Sequence, residues 1–260
     1  MHNGHNYLAS IPIRYGQERA LRCVEYAPMS KAEKSGPRMR TIRTFVRRTG
    51  RMTAPQKKAL VELWPQYGLD FVEKSIDFAS VFGNTANVCL EIGFGNGDTL
   101  VKQAREQPQW NFVGIEVHEP GVGHCLIAAR QAGIENLRLL VHDAIDVLQQ
   151  LPLNSLSRIN LYFPDPWPKK RHHKRRIVQP SFLELCADRL EPGGSLHVAT
   201  DWANYAEHID AVLGASDRFE VSERREHGGD RPLDRPRTKF EQRGLRKGHR
   251  IWDWRFERLD

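Results

Sequence analysis

The chain has 260 residues, 40% hydrophobic and 27% charged, enough for one sizeable α/β core and ordinary for a soluble protein. Its 39 Lys and Arg outnumber 32 Asp and Glu, and a net charge of +7 points towards an anionic partner. No apolar run approaches the roughly 20 residues of a membrane-spanning helix, and the N-terminus lacks a charged start followed by an apolar core, so neither a membrane span nor a secretory signal is expected.

Residues 1–37 are polar with no sustained period and read as a loosely docked extension, leaving 38–260 as a single domain with a basic N-terminal arm. Between Lys34 and Val61 there is no acid, while Arg38, Arg40, Arg43, Arg47, Arg48 and Arg51 crowd together. That arm reads as a helix or extended segment on nucleic acid, or as a solvated linker. Thr53 with Pro55 starts a helix whose apolar face is Ala59, Leu60, Leu63 and Trp64, and Pro65 ends it.

From Asn87 onward, short apolar strands alternate with amphipathic helices. Strands are expected at 88–92, 112–117, 137–141, 159–163 and 195–199, with closing strands at 219–222 and 251–258. Helices are expected at 98–107, 121–132, 144–151, 177–190 and 202–213, the fourth stopped by Pro192-Gly193-Gly194. Repeated β-α units with short connections imply an α/β fold, a mostly parallel twisted sheet with helices on both faces. Cys23, Cys89, Cys125 and Cys186 are dispersed without C-x-x-C spacing, which reads as buried free thiols in a reducing compartment and argues against zinc.

Glu91-Ile92-Gly93-Phe94-Gly95-Asn96-Gly97 follows the first strand, and Glu116 ends the second, 25 positions after Glu91. Alternate glycines permit positive φ and close approach of a ligand, and an acid at that strand end can accept from ribose hydroxyls. A dinucleotide would set its pyrophosphate at the helix start, where Asp98 opposes it. S-adenosylmethionine has no phosphate, and its amino group and sulfonium suit an acid-fronted loop. Asp143 after the third strand either bonds an adenine amino group or caps the helix at Ala144.

The fourth strand runs into Tyr162-Phe163-Pro164-Asp165-Pro166-Trp167-Pro168, followed by eight basic or imidazole residues, Lys169 to Arg176. These motifs, with Gly114-Ile115-Glu116-Val117-His118, Thr200-Asp201-Trp202 and the stretch from Arg235 to Gly244 around Thr238-Lys239-Phe240-Glu241, resemble the bacterial tRNA (guanine-N7)-methyltransferases. Ile42 to Arg48 resembles that family's N-terminal region, and the resemblance extends from about residue 40 to the C-terminus.

The resemblance implies a Rossmann-like class I methyltransferase domain with an antiparallel C-terminal strand. It also implies a cytoplasmic enzyme that moves a methyl group from S-adenosylmethionine to N7 of guanosine 46 in the tRNA variable loop, without a metal. By position it assigns Glu91, Gly93, Gly95, Gly97, Glu116, Asp143 and Asp165 to the cofactor, and Asp165 to catalysis. Lys169, Asp201, Thr238, Lys239, Phe240 and Glu241 fall to the substrate, and Arg171, His172, His173, Lys174, Arg175 and Arg176 to RNA. One local departure is Pro168, where the family's motif favours His; proline stiffens the turn leading into Lys169.

Guanine N7 needs no deprotonation, so Asp165 is expected to stabilise the positive charge that alkylation leaves on the purine rather than to act as a base. Trp167 either stacks on a base or anchors the turn, and Asp201 either contacts substrate or caps the following helix. Two other readings are a base-amino methyltransferase, whose usual Asp/Asn-Pro-Pro-Tyr/Phe turn Asp165-Pro166-Trp167 only partly matches, and a non-catalytic RNA-binding protein with a residual cofactor pocket. Monomer and homodimer both remain open.

Overall fold

The β-α alternation builds a seven-stranded sheet in the order β3-β2-β1-β4-β5-β7-β6. The strands are β1 Val88–Ile92, β2 Asn111–Ile115, β3 Leu137–Leu140, β4 Leu156–Tyr162, β5 Leu190–Thr200, β6 Phe219–His227 and β7 Ile251–Arg258. The first five run parallel, and β7 is antiparallel to both β5 and β6. The computed structural model describes residues 44–45, 50–72, 75–228 and 235–260, all within the unit Arg40–Asp260. The extension expected over 1–37 lies outside these residues, as do Cys23, Ile42, Arg43 and residues 46–49 of the arm.

The period-2 alternation of a strand sorts the core into two layers. Val88, Leu90 and Ile92 of β1, with Ile159 and Leu161 of β4 and Leu196 and Val198 of β5, pack on α6 Ala144–Gln150, α7 Pro180–Arg189 and α8 Ala203–Gly214. Cys89 and Phe112 face the other way, against α1 Ala54–Glu62, α4 Asp98–Glu106 and α5 Glu119–Gln131. Beyond α4 the same face carries polar side chains in the matching register, namely Asn160, His197 and Asp253, all buried. Short helices α2 Trp64–Tyr67 and α3 Phe78–Phe82 lie before the sheet, and α9 Lys239–Arg246 precedes β7.

Most expected elements form within a residue or two of their expected limits. Thr53 caps α1 through a reciprocal capping box with Gln56. The stop expected at Pro192-Gly193-Gly194 instead lies within β5, where Gly193 has φ +74° and the pairing with β4 shifts register. Part of the basic run winds into a 3-10 helix, Lys170–Arg175. Cys89, Cys125 and Cys186 are free and buried.

Strand order reverses between β1 and β4, whose neighbours β2 and β5 lie on opposite sides. Loops leaving the carboxyl ends of two such strands diverge to opposite faces of the sheet and leave a crevice, the usual place for a ligand in an open α/β sheet. The loop after β1 is the glycine loop, and the loop after β4 is the proline-rich turn bearing Asp165.

Candidate active site

That crevice holds a cavity of about 440 Å³. It is lined by Gly93 and Gly95 of the glycine loop, by Glu116 to His118, and by Phe163, Pro164 and Asp165 of the proline-rich turn. Thr44 and Phe45 of the arm and Phe240 of α9 also line it.

The glycine loop needs its glycines for two distinct reasons. Gly93, Gly95 and Gly97 all have φ between 60° and 77°, a region costly for other L-residues. At Gly97 there is also no room, since an added Cβ would lie 2.3 Å from Cys125 Sγ. At Gly93 an added Cβ would meet no atom within 4 Å, so the missing side chain leaves open space on the cavity wall.

Glu116 is fixed by the loop it supports. One carboxylate oxygen accepts from Gly95 N at 2.8 Å, and the other from Val117 N at 2.6 Å and His118 N at 2.9 Å. A carboxylate offers about four lone-pair directions, so it retains capacity for a hydroxyl donor.

Glu91 lies in another layer. Its place in β1 turns it towards α4, where it is buried and accepts from Thr99 Oγ1 at 3.1 Å and Gln103 Nε2 at 3.3 Å. Burial pushes its carboxyl up to about 7, with the two hydrogen bonds and the charge of Arg235 opposing. It stands behind the loop rather than among the cavity-lining residues. Asp143 caps α6 by accepting from Ile145 N at 3.0 Å, while His142 and Ala144 beside it line the cavity.

The Asp165 turn is held in an unusual shape. Phe163 and Trp167 have φ of 54° and 45°, a conformation costing roughly 1–3 kcal/mol each for non-glycine residues. Trp167 Nε1 donates to Thr44 O at 3.0 Å, and the Arg175 guanidinium lies 4.2 Å from the indole centroid. Of the two readings of Trp167, the structure shows the anchor, tying the arm to the turn.

Arg176 requires a correction. It was expected to meet RNA, but it is 1% exposed and points inward. Its Nε donates to Pro166 O at 2.9 Å and its terminal nitrogens to Asn204 O and Oδ1, with the Tyr205 ring 4.8 Å away. It braces the turn from beneath. Lys169, Arg171 and Lys174 are exposed, and His172, His173 and Arg175 are half-buried.

In the Thr238–Glu241 stretch, Thr238 caps α9 by accepting from Glu241 N at 3.0 Å. Glu241 is fully buried and accepts from Arg235 at 2.6 Å. Lys239 pairs with Asp98 at 2.7 Å across to α4, and Phe240 lies 3.9 Å from where a Gly95 Cβ would sit. Asp201 does not cap α8, whose N-cap is Trp202; its Oδ2 bonds His249 Nδ1 at 3.0 Å and lies beside Gly244 of α9.

Sequence reasoning missed the buried group beneath α9, made of Tyr162, His197, Arg235 and Asp253, and the cavity residues His118, His142, Thr44 and Phe45. The T-x-x-E spacing of a capping box was the available signal for α9.

The residues present fit S-adenosylmethionine. A positive-φ cradle at Gly93 and Gly95 and a carboxylate at Glu116 with spare acceptor capacity for a diol meet at one cavity, while the α4 start behind the loop carries an acid, Asp98, paired with Lys239. Fold and site together define a class I S-adenosylmethionine-dependent methyltransferase. Residues 85–254 match the family described as "Putative methyltransferase". The chain is 52% identical over 226 residues to the tRNA (guanine-N(7)-)-methyltransferase of Aeromonas hydrophila subsp. hydrophila, covering 86% of this chain and 95% of that one. It is 53% identical over 216 residues to the enzyme of that name from Halorhodospira halophila, covering 82% and 94%. The chain belongs to the bacterial tRNA (guanine-N7)-methyltransferase family. Its fold is shared by a solved antibiotic-related methyltransferase (TM-score 0.50, 17% identity, covering 71% of this chain and 96% of that one) and by the 16S rRNA methyltransferase KamB (TM-score 0.50, 17%, covering 70% and 93%).

Proposed function

We propose that this chain methylates N7 of guanosine 46 in the tRNA variable loop. The observation that carries the reading is that the Asp165 turn and the glycine loop open into one cavity, so an acid faces the place where the methyl donor would sit. S-adenosylmethionine supplies an electrophilic methyl group. Gly93, Gly95 and Glu116 would hold it, with Glu91 behind the loop contributing negative charge and Asp143 bordering the adenine end. Asp165 would accept from the guanine N1 and N2 donors and stabilise the positive charge that develops on the purine. No base is required, because the N7 lone pair lies in the ring plane; positioning carries most of the rate.

Lys169, Asp201 and the α9 start from Thr238 to Phe240 would border the guanine, with the buried Glu241 held beneath them by Arg235, and the exposed Arg171 and Lys174 would meet backbone phosphate. Three buried free thiols suit a reducing, cytoplasmic setting. The test is methyl transfer to a tRNA transcript carrying guanosine or 7-deazaguanosine at position 46. The expected result is transfer to the first and none to the second; equal transfer to both would refute N7 as the acceptor.

A further inference from the structure

The guanidinium of Arg235 is fully buried and joins three elements. It is bidentate to Asp253 of β7, with Nε to Oδ1 at 2.8 Å and a terminal nitrogen to Oδ2 at 2.6 Å. Its other terminal nitrogen donates to Glu241 of α9 at 2.6 Å. It also lies 5.4 Å from the ring centroids of both Tyr162 and Phe163, where β4 ends and the Asp165 turn begins.

Asp253 is itself clamped. His197 Nε2 bonds Oδ1 at 3.0 Å, and His197 Nδ1 lies 3.2 Å from Tyr162 Oη, so the network returns to β4. Burial would raise the Asp253 carboxyl, but hydrogen bonds from His197 and Arg235 outweigh it and hold the group well below the usual carboxylate range. Burial likewise opposes the charge on Arg235, and Asp253 and Glu241 more than restore it. The charged state of each partner therefore depends on the others.

None of Arg235, Asp253 or His197 lines the cavity, yet α9, through Phe240, and the end of β4, through Leu161 and Tyr162, do. Phe240, in the first turn of α9, approaches Gly95, and Phe163 and Asp165 line the same cavity as the glycine loop. Lysine could keep the charge of Arg235 but not the fork that serves Asp253 and Glu241 together.

We propose that Arg235 is a positioning residue of this site, setting α9 against the Asp165 turn so that Phe240 covers the glycine loop while Phe163 and Asp165 line the same cavity. This rests on the methyltransferase reading above, and it is tested with one readout that depends on that reading and one that does not.

The first readout is methyl transfer to tRNA by wild type, Arg235→Lys, Phe240→Ala and the double variant. Arg235→Lys is expected to lower kcat about 100-fold, the scale of an ångström-level misplacement, while the Kd for tRNA holds within about twofold because the basic run is untouched. In the Phe240→Ala background the same substitution should cost less than about fivefold, since the element it positions has lost its contact. Equal costs in both backgrounds, or an unchanged kcat, would overturn the proposal.

The second readout is amide hydrogen exchange of the ligand-free proteins. Arg235→Lys should speed exchange in residues 239–246 while β1 to β4 keep their protection. Uniform loss across the sheet would show a merely structural role and overturn the proposal. If Arg235→Lys does not fold, Glu241→Gln, which weakens the tie from Arg235 to α9 and leaves the Asp253 fork and the cavity lining unchanged, takes its place with the same expectations and the same refuting results. A wild type that moves no methyl to tRNA contradicts the proposed function, and the exchange experiment still decides the role of Arg235.

Discussion

Glu91→Gln should make the ligand-free protein more stable at pH 8 than the wild type and leave the two nearly equal at pH 5. Glu91 is completely enclosed between β1 and α4, and burial raises its carboxyl from 4.5 to about 7 despite hydrogen bonds from Thr99 and Gln103. At about 1.4 kcal/mol per pH unit the gap corresponds to roughly 3 kcal/mol. The folded state holds the proton more tightly than the unfolded state, so the associated stability is fully present below 4.5 and is lost as pH rises through 7. A glutamine is neutral throughout and escapes that loss. Its amide places a donor where the carboxylate accepted, a mismatch of about 1 kcal/mol. The difference should therefore be near zero at pH 5 and about 2 kcal/mol in favour of the variant at pH 8. Urea unfolding of both proteins from pH 5 to 8 measures it. A difference that does not change with pH would refute the reasoning. If Glu91 also supplies negative charge to the cofactor site, the stabilised variant should bind S-adenosylmethionine more weakly at pH 8, readable by calorimetry.

Gly97→Ala should cost about 3 kcal/mol of stability, combining positive φ with a clash on Cys125, whereas Gly93→Ala should cost only about 1 kcal/mol for its φ, as read by urea unfolding. Arg176→Ala should cost roughly 2 kcal/mol, because it strips the part-buried carbonyls of Pro166 and Asn204 of their donor. Lys174→Ala should leave the thermal midpoint unchanged and reduce the slope of log affinity for tRNA against log salt by about 0.7–0.9, measured by filter binding. Asp165→Asn should lower kcat on the order of 100-fold, with the Kd for tRNA little changed; single-turnover methyl transfer separates the two.

Much of this molecule can be read in its sequence because period and punctuation agree. Each run of β1 to β4 is mostly apolar, as a parallel strand covered on both faces should be, and each is followed within three residues by a glycine, an acid or a proline that marks the sheet edge. Glu116 and the Asp165 turn were legible for that reason, since strand ends in this fold point to one crevice. Arg176 was not legible. Nothing in a run of eight basic or imidazole residues distinguishes the one that turns inward, and Asn204, which receives it, is 28 positions away. The Arg235 group was hidden for a related reason. Asn160, His197 and Asp253 occupy strand positions that look solvent-facing beside their apolar neighbours, and only the folded sheet shows that this polar face is buried. Glu91 was legible as an acid beside the glycine loop, but its strand parity aims it under α4 rather than into the cavity.

The central claim is tested most directly by incubating the purified protein with unmodified tRNA and labelled S-adenosylmethionine, then mapping the methyl by cleavage chemistry specific for 7-methylguanosine. The account predicts a single cleavage in the variable loop, at guanosine 46. Label on an exocyclic amine, or no label on the tRNA, would contradict it.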